Sequence, residues 1–107
     1  MRLVEKHCVP CEGGVPPLSR ESAGGLLKQT PGWKLAKDGL SIKRDFKFKD
    51  FKSALDFVNK VGALAEAEGH HPDIELGWGR VKVTTFTHAV GGLSENDFIL
   101  AAKINKL

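Results

Sequence analysis

The sequence has no apolar run approaching the roughly 20 residues that a membrane-crossing helix needs, so no membrane partner is expected. Its opening stretch, MRLVEKHCVPCEGG, has no hydrophobic signal-peptide segment, and a cytoplasmic location is the expectation that follows. Cysteine is scarce: Cys8 and Cys11 are the only two, three positions apart, and they cannot make the disulfide framework of a small secreted protein. There is no internal repeat and no low-complexity tract. The 16 basic residues are interleaved with 13 acidic ones rather than gathered into a stripe. No groove-reading or base-stacking motif accompanies them, which argues against nucleic acid as a direct partner.

What is present is ordinary for one globular domain. The chain has 107 residues, 41% of them hydrophobic, and a net charge of +3. That suffices for a single core without covalent staples. Residues 1–17, rich in Cys, Gly and Pro, read as an irregular N-terminal arm, and residues 18–107 as the domain. The pair in HCVPC resembles a redox or metal motif. A redox pair, however, wants its first thiol at a helix N-terminus, and EGGVPP follows instead. A zinc site would need ligands beyond the pair, of which His7 offers one. An arm that packs on the domain is the expectation left.

Within the domain, Ser19 is placed to cap a short helix carrying Leu26 and Leu27 inward and ending near Gln29. TPGW turns the chain and delivers Trp33. WKLAK then runs into Asp38-Gly39, a hairpin signal. In LSIKRDFKFKD, Ile42, Arg44, Phe46 and Phe48 alternate with polar residues, as in a half-buried strand. Residues 50–68 predict a longer helix. Asp50 caps it, Phe51, Ala54, Leu55, Val58, Val61, Gly62 and Ala65 form its apolar stripe, and Gly69 stops it. A second hairpin follows over 73–79 and 80–88, turning at WGR. Val81, Val83, Thr85 and Thr87 point one way, and Lys82, Thr84, Phe86 and His88 the other. Ser94 opens a final helix with Asp97 at capping-box spacing. The order is α-β-β-α-β-β-α, an α+β fold in which a four-stranded antiparallel sheet carries three helices on one face. A bare sheet face or edge favours an oligomer.

Three of the four histidines fall in one stretch, AEGHHPDIELGWGRVKVTTFTH. His70 and His71 stand just past a helix C-terminus, where imidazolium is favoured, and Pro72 biases His71 towards extended geometry. The second hairpin can return His88 to the same corner. Three readings stand side by side: histidines with no joint role, a metal site of neutral imidazoles, and acid–base catalysis. The last rests on a free pKa of about 6.5, which lets histidine give and take protons near neutrality. The metal reading has no carboxylate at an obvious ligand spacing.

Several motifs occur together: HHP, a TH dipeptide whose histidine lies seventeen residues after His71, GLSENDF, an upstream GW, and F-x-F-x-x-F in FKFKDF. In their joint order the chain strongly resembles the pterin-4a-carbinolamine dehydratases over about residues 18–106. The resemblance implies a hydro-lyase that removes water from a 4a-hydroxytetrahydropterin to give the quinonoid dihydropterin, which can then be re-reduced in tetrahydrobiopterin recycling. It implies no metal and no bound cofactor, a pterin as substrate, and assembly as a homodimer or homotetramer. His70, His71 and His88 would be catalytic. Gly69, Pro72, Phe86, Thr87, Ala89, Trp33, Glu66 and Asp97 would line or orient the substrate site. Trp33 reads equally as a core residue, Glu66 and Asp97 as acids that orient a histidine or bind the pterin's amino and amide edge, and Asp97 alternatively as a helix cap alone. Ile74 and Ala89 depart from the family pattern, where an aromatic and a polar residue are common. Two non-catalytic alternatives stand beside this. One is a dimerisation or coactivator-like binding module, as some members of the resembling family are; the other is a metal-binding module built from the arm and the histidine corner.

Overall fold

A computed structural model describes residues 2–9 and 15–107. After a 3-10 turn at Leu3–Glu5, the elements are α1 (Arg20–Leu27), β1 (Lys34–Leu35), β2 (Ile42–Lys47), α2 (Phe51–Glu68), β3 (Asp73–Gly77), β4 (Arg80–Thr85), a 3-10 turn at His88–Val90, and α3 (Glu95–Ile104). The strands form one antiparallel sheet in the order β1-β2-β4-β3. The expected α+β order is therefore the observed one.

Local signals explain the boundaries. Ser19 accepts the Ser22 N–H at 3.1 Å and Asp50 accepts the Ser53 N–H at 2.8 Å, so both helix starts have a satisfied donor. α1 stops at Leu27, two residues short of the expected end. The N–H groups of Gln29 and Thr30 bond back three residues instead, tightening the chain into the turn before Trp33. β1 keeps only two residues of the expected WKLAK strand. Beyond Leu35 the chain leaves the ladder for a closed turn, in which Asp38 Oδ1 accepts the Leu40 N–H at 2.9 Å and Gly39 takes a φ of 74°.

The stripe of α2 differs from the sequence reading. Ala54, Val61 and Ala65 are buried as expected, but Phe51 and Leu55 are 45% and 38% exposed. Phe57 takes their place, its ring 4.7 Å from that of Phe46 and 5.1 Å from that of Phe48. The bulk of Phe46 on β2 and of Phe48 just past its end draws the helix face round to them. On β4, Val81, Val83 and Thr85 are buried and Thr87 continues their side, as the alternation predicts. α3 is buried nearly all round, from Asn96 to Ala102, with Phe98 and Leu100 fully enclosed. No helix among the described residues is long and apolar enough to cross a membrane.

Candidate active site

The corner that carries the histidines is made by the end of α2. Gly69 adopts the left-handed conformation at φ 66°, ψ 26°. Its N–H bonds the Glu66 carbonyl at 3.3 Å, and the His70 N–H bonds the Ala65 carbonyl at 3.2 Å. This is a Schellman closure, which satisfies the last carbonyls of α2 and sets the backbone of His70. Pro72 leads directly into β3, whose first residue, Asp73, pairs with Thr84. The corner therefore lies beside residues 85–87.

His70 is 11% exposed at its side chain, and its Nε2 stands 2.6 Å from Asp97 Oδ1. A carboxylate can only accept, so Nε2 carries the hydrogen and Nδ1 is the nitrogen left to take a proton. Asp97 is fully buried. Its Oδ1 also accepts from Thr85 Oγ1 at 2.6 Å, while Oδ2 accepts from Thr87 Oγ1 at 2.8 Å and from the Ser94 N–H at 3.0 Å. Ser94 Oγ and Thr87 Oγ1 are 2.8 Å apart. The two sequence readings of Asp97, helix cap and histidine partner, are both realised, one on each oxygen. Burying a carboxylate is costly unless its lone pairs are filled, and these are.

The other two histidines are more open. His71 is 60% exposed at its side chain, and its Nε2 lies 3.2 Å from Glu66 Oε1. It lines a cleft of about 460 Å³ with Val58, Gly62, Glu66, Pro72 and Ile74. His88 begins the 3-10 turn after β4, with its ring 4.4 Å from that of Phe86. It lines a second cleft, of about 320 Å³, with Asp38, Leu40, Ser41, Phe86 and Gly91. Both volumes fall in the ~300–1,000 Å³ range of small-molecule sites. A bridge between Thr87 and Gly92 holds the turn in place, with N–H to carbonyl distances of 2.7 and 3.3 Å.

The expected convergence is thus only partly realised within one chain, because His71 and His88 line separate clefts. What joins the two sides is Asp97, which holds His70 with one oxygen and Thr87, next to His88, with the other. Trp33 lies elsewhere. It is 5% exposed, stacks edge-on to Phe46, and donates its indole N–H to Asn105 Oδ1 at 2.9 Å. It lines neither histidine cleft, so it serves as core rather than as a cover for a flat ring. Thr87 engages Asp97 through its hydroxyl, and Ala89 lies exposed in the turn after His88. Thr85 and Ser41 were missed by the sequence reading. Thr85 shares its strand face with Thr87, which could have signalled it; Ser41 shows nothing in sequence beyond its place in a hairpin.

Of the arm's cysteines, Cys11 lies outside the described residues. Burial, then the charge of Glu68, pushes the Cys8 thiol up to about 12, opposite to what a redox nucleophile needs. Among the described residues, no three His, Cys, Asp or Glu side chains are grouped so as to hold a metal ion.

These features define a small α+β domain in which a buried carboxylate holds one of three histidines near two open clefts. Residues 16–107 match the family model described as Pterin 4 alpha carbinolamine dehydratase, and the chain belongs to that family. A relative from Rubrobacter xylanophilus, provisionally named a pterin-4-alpha-carbinolamine dehydratase, is 54% identical over 98% of this chain and 97% of its own. One from Methylococcus capsulatus, with the same provisional name, is 53% identical over 98% of this chain and 92% of its own. Among solved structures, a transcriptional coactivator/pterin dehydratase from Brucella melitensis superposes with a TM-score of 0.79 at 34% identity, over 84% of this chain and 96% of that one. A pterin dehydratase-like protein identified as a RuBisCO assembly factor of the alpha-carboxysome has a TM-score of 0.61 at 22% identity, over 73% of this chain and 90% of that one, a likeness of fold.

Proposed function

We propose that this protein is a hydro-lyase that dehydrates a 4a-hydroxytetrahydropterin to the quinonoid dihydropterin by histidine acid–base catalysis. In the reaction the C4a–O bond breaks, the N5–H proton is lost, and a C4a=N5 double bond forms; the hydroxyl leaves as water. Hydroxide is a poor leaving group, so a proton must reach that oxygen as the bond breaks. An imidazolium supplies it, and a neutral imidazole takes the N5 proton. Each such transfer is typically worth about 10² to 10⁴ in rate.

The observation that carries the reading is the 2.6 Å bond between His70 and the buried Asp97. It orients the ring, with Nε2 engaged by the carboxylate and Nδ1 left to act at the substrate oxygen. His71, which follows His70 directly and is open to a cleft, is assigned with His70 to exchange protons at the hydroxyl and N5, while His88 lines the second cleft beside Phe86. Phe86 supplies a ring face, and Glu66 orients His71. The reaction belongs to tetrahydrobiopterin recycling in the cytoplasm, and the assembly is a homodimer or homotetramer. Sedimentation equilibrium reads the latter directly.

The test is to generate a 4a-hydroxytetrahydropterin and follow its loss by absorbance, with and without protein and with a chelator. The expected result is acceleration that survives the chelator and is lost in His71→Ala. No acceleration by folded protein would overturn the assignment.

A further inference from the structure

The His70–Asp97 bond joins two elements that meet only in the folded chain: His70 hangs from the end of α2 and Asp97 from the first turn of α3. Both supports are held by the same piece of backbone. The Cys8 N–H donates to Glu68 Oε1 at 2.8 Å, and Glu68 is the last residue of α2. The next residue, Val9, exchanges two bonds with the Asn96 side-chain amide. Its N–H reaches Asn96 Oδ1 at 3.0 Å, and its carbonyl accepts from Asn96 Nδ2 at 2.6 Å. Glu68 lies two positions before His70, and Asn96 lies immediately before Asp97.

The rest of the arm is anchored to match. Leu3 is 2% exposed, in the core, and its N–H donates to Gln29 Oε1 at 3.1 Å. Lys6 pairs with Glu95 at 3.1 Å. Glu68 Oε2 pairs with Lys103 Nζ of α3 at 2.8 Å, and His7 Nδ1 lies 3.2 Å from the same oxygen. Both side chains of the Glu68–Lys103 pair are largely enclosed, at 6% and 13% exposure. Residues 2–9 precede the span that the family model matches, 16–107.

We infer that Glu68 and Asn96 are positioning residues, clasped by the arm at Cys8 and Val9, that set the spacing between His70 and Asp97. The kinetic consequence rests on the dehydratase reading above; the geometric one does not. A histidine–carboxylate bond of 2.6 Å tolerates little drift, and a displacement of about 1 Å remote from the chemistry can cost as much as 10² in rate.

The experiment is carried out on the full chain with Glu68→Ala, Glu68→Gln and Asn96→Ala, reading dehydration kinetics and the ¹⁵N and ¹³C signals of the His70 ring. Circular dichroism establishes that each variant is folded. Glu68→Ala and Asn96→Ala are expected to lower kcat about tenfold, with KM within about twofold, and to move the His70 ring signals. Glu68→Gln keeps an oxygen for the Cys8 N–H and should restore most of both. Where an alanine variant fails to fold, Val9→Pro deletes one N–H at an exposed residue and replaces it. Unchanged ring signals in folded variants would overturn the inference, whatever the rates do. If the wild-type protein proves to have no dehydratase activity, moving ring signals still uphold the positioning role while the functional reading falls.

Discussion

His70 and Asp97 are 27 residues apart in sequence, and in the fold a ring nitrogen of one stands 2.6 Å from a carboxylate oxygen of the other. That carboxylate accepts from Thr85, Thr87 and the Ser94 N–H as well. One buried side chain thus caps α3, locks β4 to it, and orients an imidazole. Stability and site geometry share a single group.

Asp97→Asn separates those roles. The amide retains one acceptor oxygen where Asp97 has two, and its NH₂ faces a hydroxyl or ring N–H that needs an acceptor. The expected cost is about 1–3 kcal/mol in urea unfolding, from the donors left unpaired. A fall of about 10² in kcat is expected from the loss of the carboxylate that orients the His70 ring. Wild-type kcat in the folded variant would remove Asp97 from the mechanism.

Glycine to alanine should have opposite signs at two positions. Gly69 sits at φ 66° with nothing within 4 Å of an added Cβ, so only backbone strain opposes alanine there, and a loss of about 1 kcal/mol is expected. Gly24, inside α1, also has open space but no positive φ, and alanine should add about 0.4–1 kcal/mol. Urea midpoints of the two variants measure both; a shift of the same sign would contradict this account of the corner.

Glu68 should shape the acid limb of stability. Burial alone would raise its pKa, but the hydrogen bonds from Lys103, the Cys8 N–H and His7 outweigh burial and lower it to about 2. The folded value lies below the unfolded one of 4.5. Its stabilisation is therefore complete above pH 4.5 and lost as pH falls towards 2. Urea midpoints measured across that window should fall less steeply in Glu68→Gln than in the wild type. Parallel slopes would refute the assignment.

Cys8 should be nearly inert. With its thiol raised to about 12, little thiolate exists near neutrality. In a Cys11→Ser background, iodoacetamide at pH 8 should modify the native protein at least about tenfold more slowly than the urea-unfolded chain. Equal rates would mean that the arm does not stay docked.

Much of the fold could be read from short-range signals, because they act within a few residues. Asp50 and Gly69 bound α2, Ser94 and Asp97 open α3, and the alternation of Val81, Val83, Thr85 and Thr87 marks the inward side of β4. Those signals depend on caps, on a left-handed glycine and on a period of two. The register of α2 could not be read this way. Phe51 and Phe57 are equally apolar, and only the presence of Phe46 and Phe48 across the interface decides which of them is covered. Trp33 was ambiguous for the same reason, until Asn105 and Phe46 placed it in the core.

The candidate site divides along the same line. The sequence alone determined which residues are the candidates: two adjacent histidines behind a helix stop, a third after a strand, and an acid at the third position of a helix. Tertiary structure alone decided their partners. Asp97 was legible as a cap, but its hold on His70 requires α2, α3 and β4 to meet. The pairing of Cys8 and Val9 with Glu68 and Asn96 spans 60 and 87 residues. Contacts at such separations depend on how whole elements pack, and no local pattern of residues encodes that.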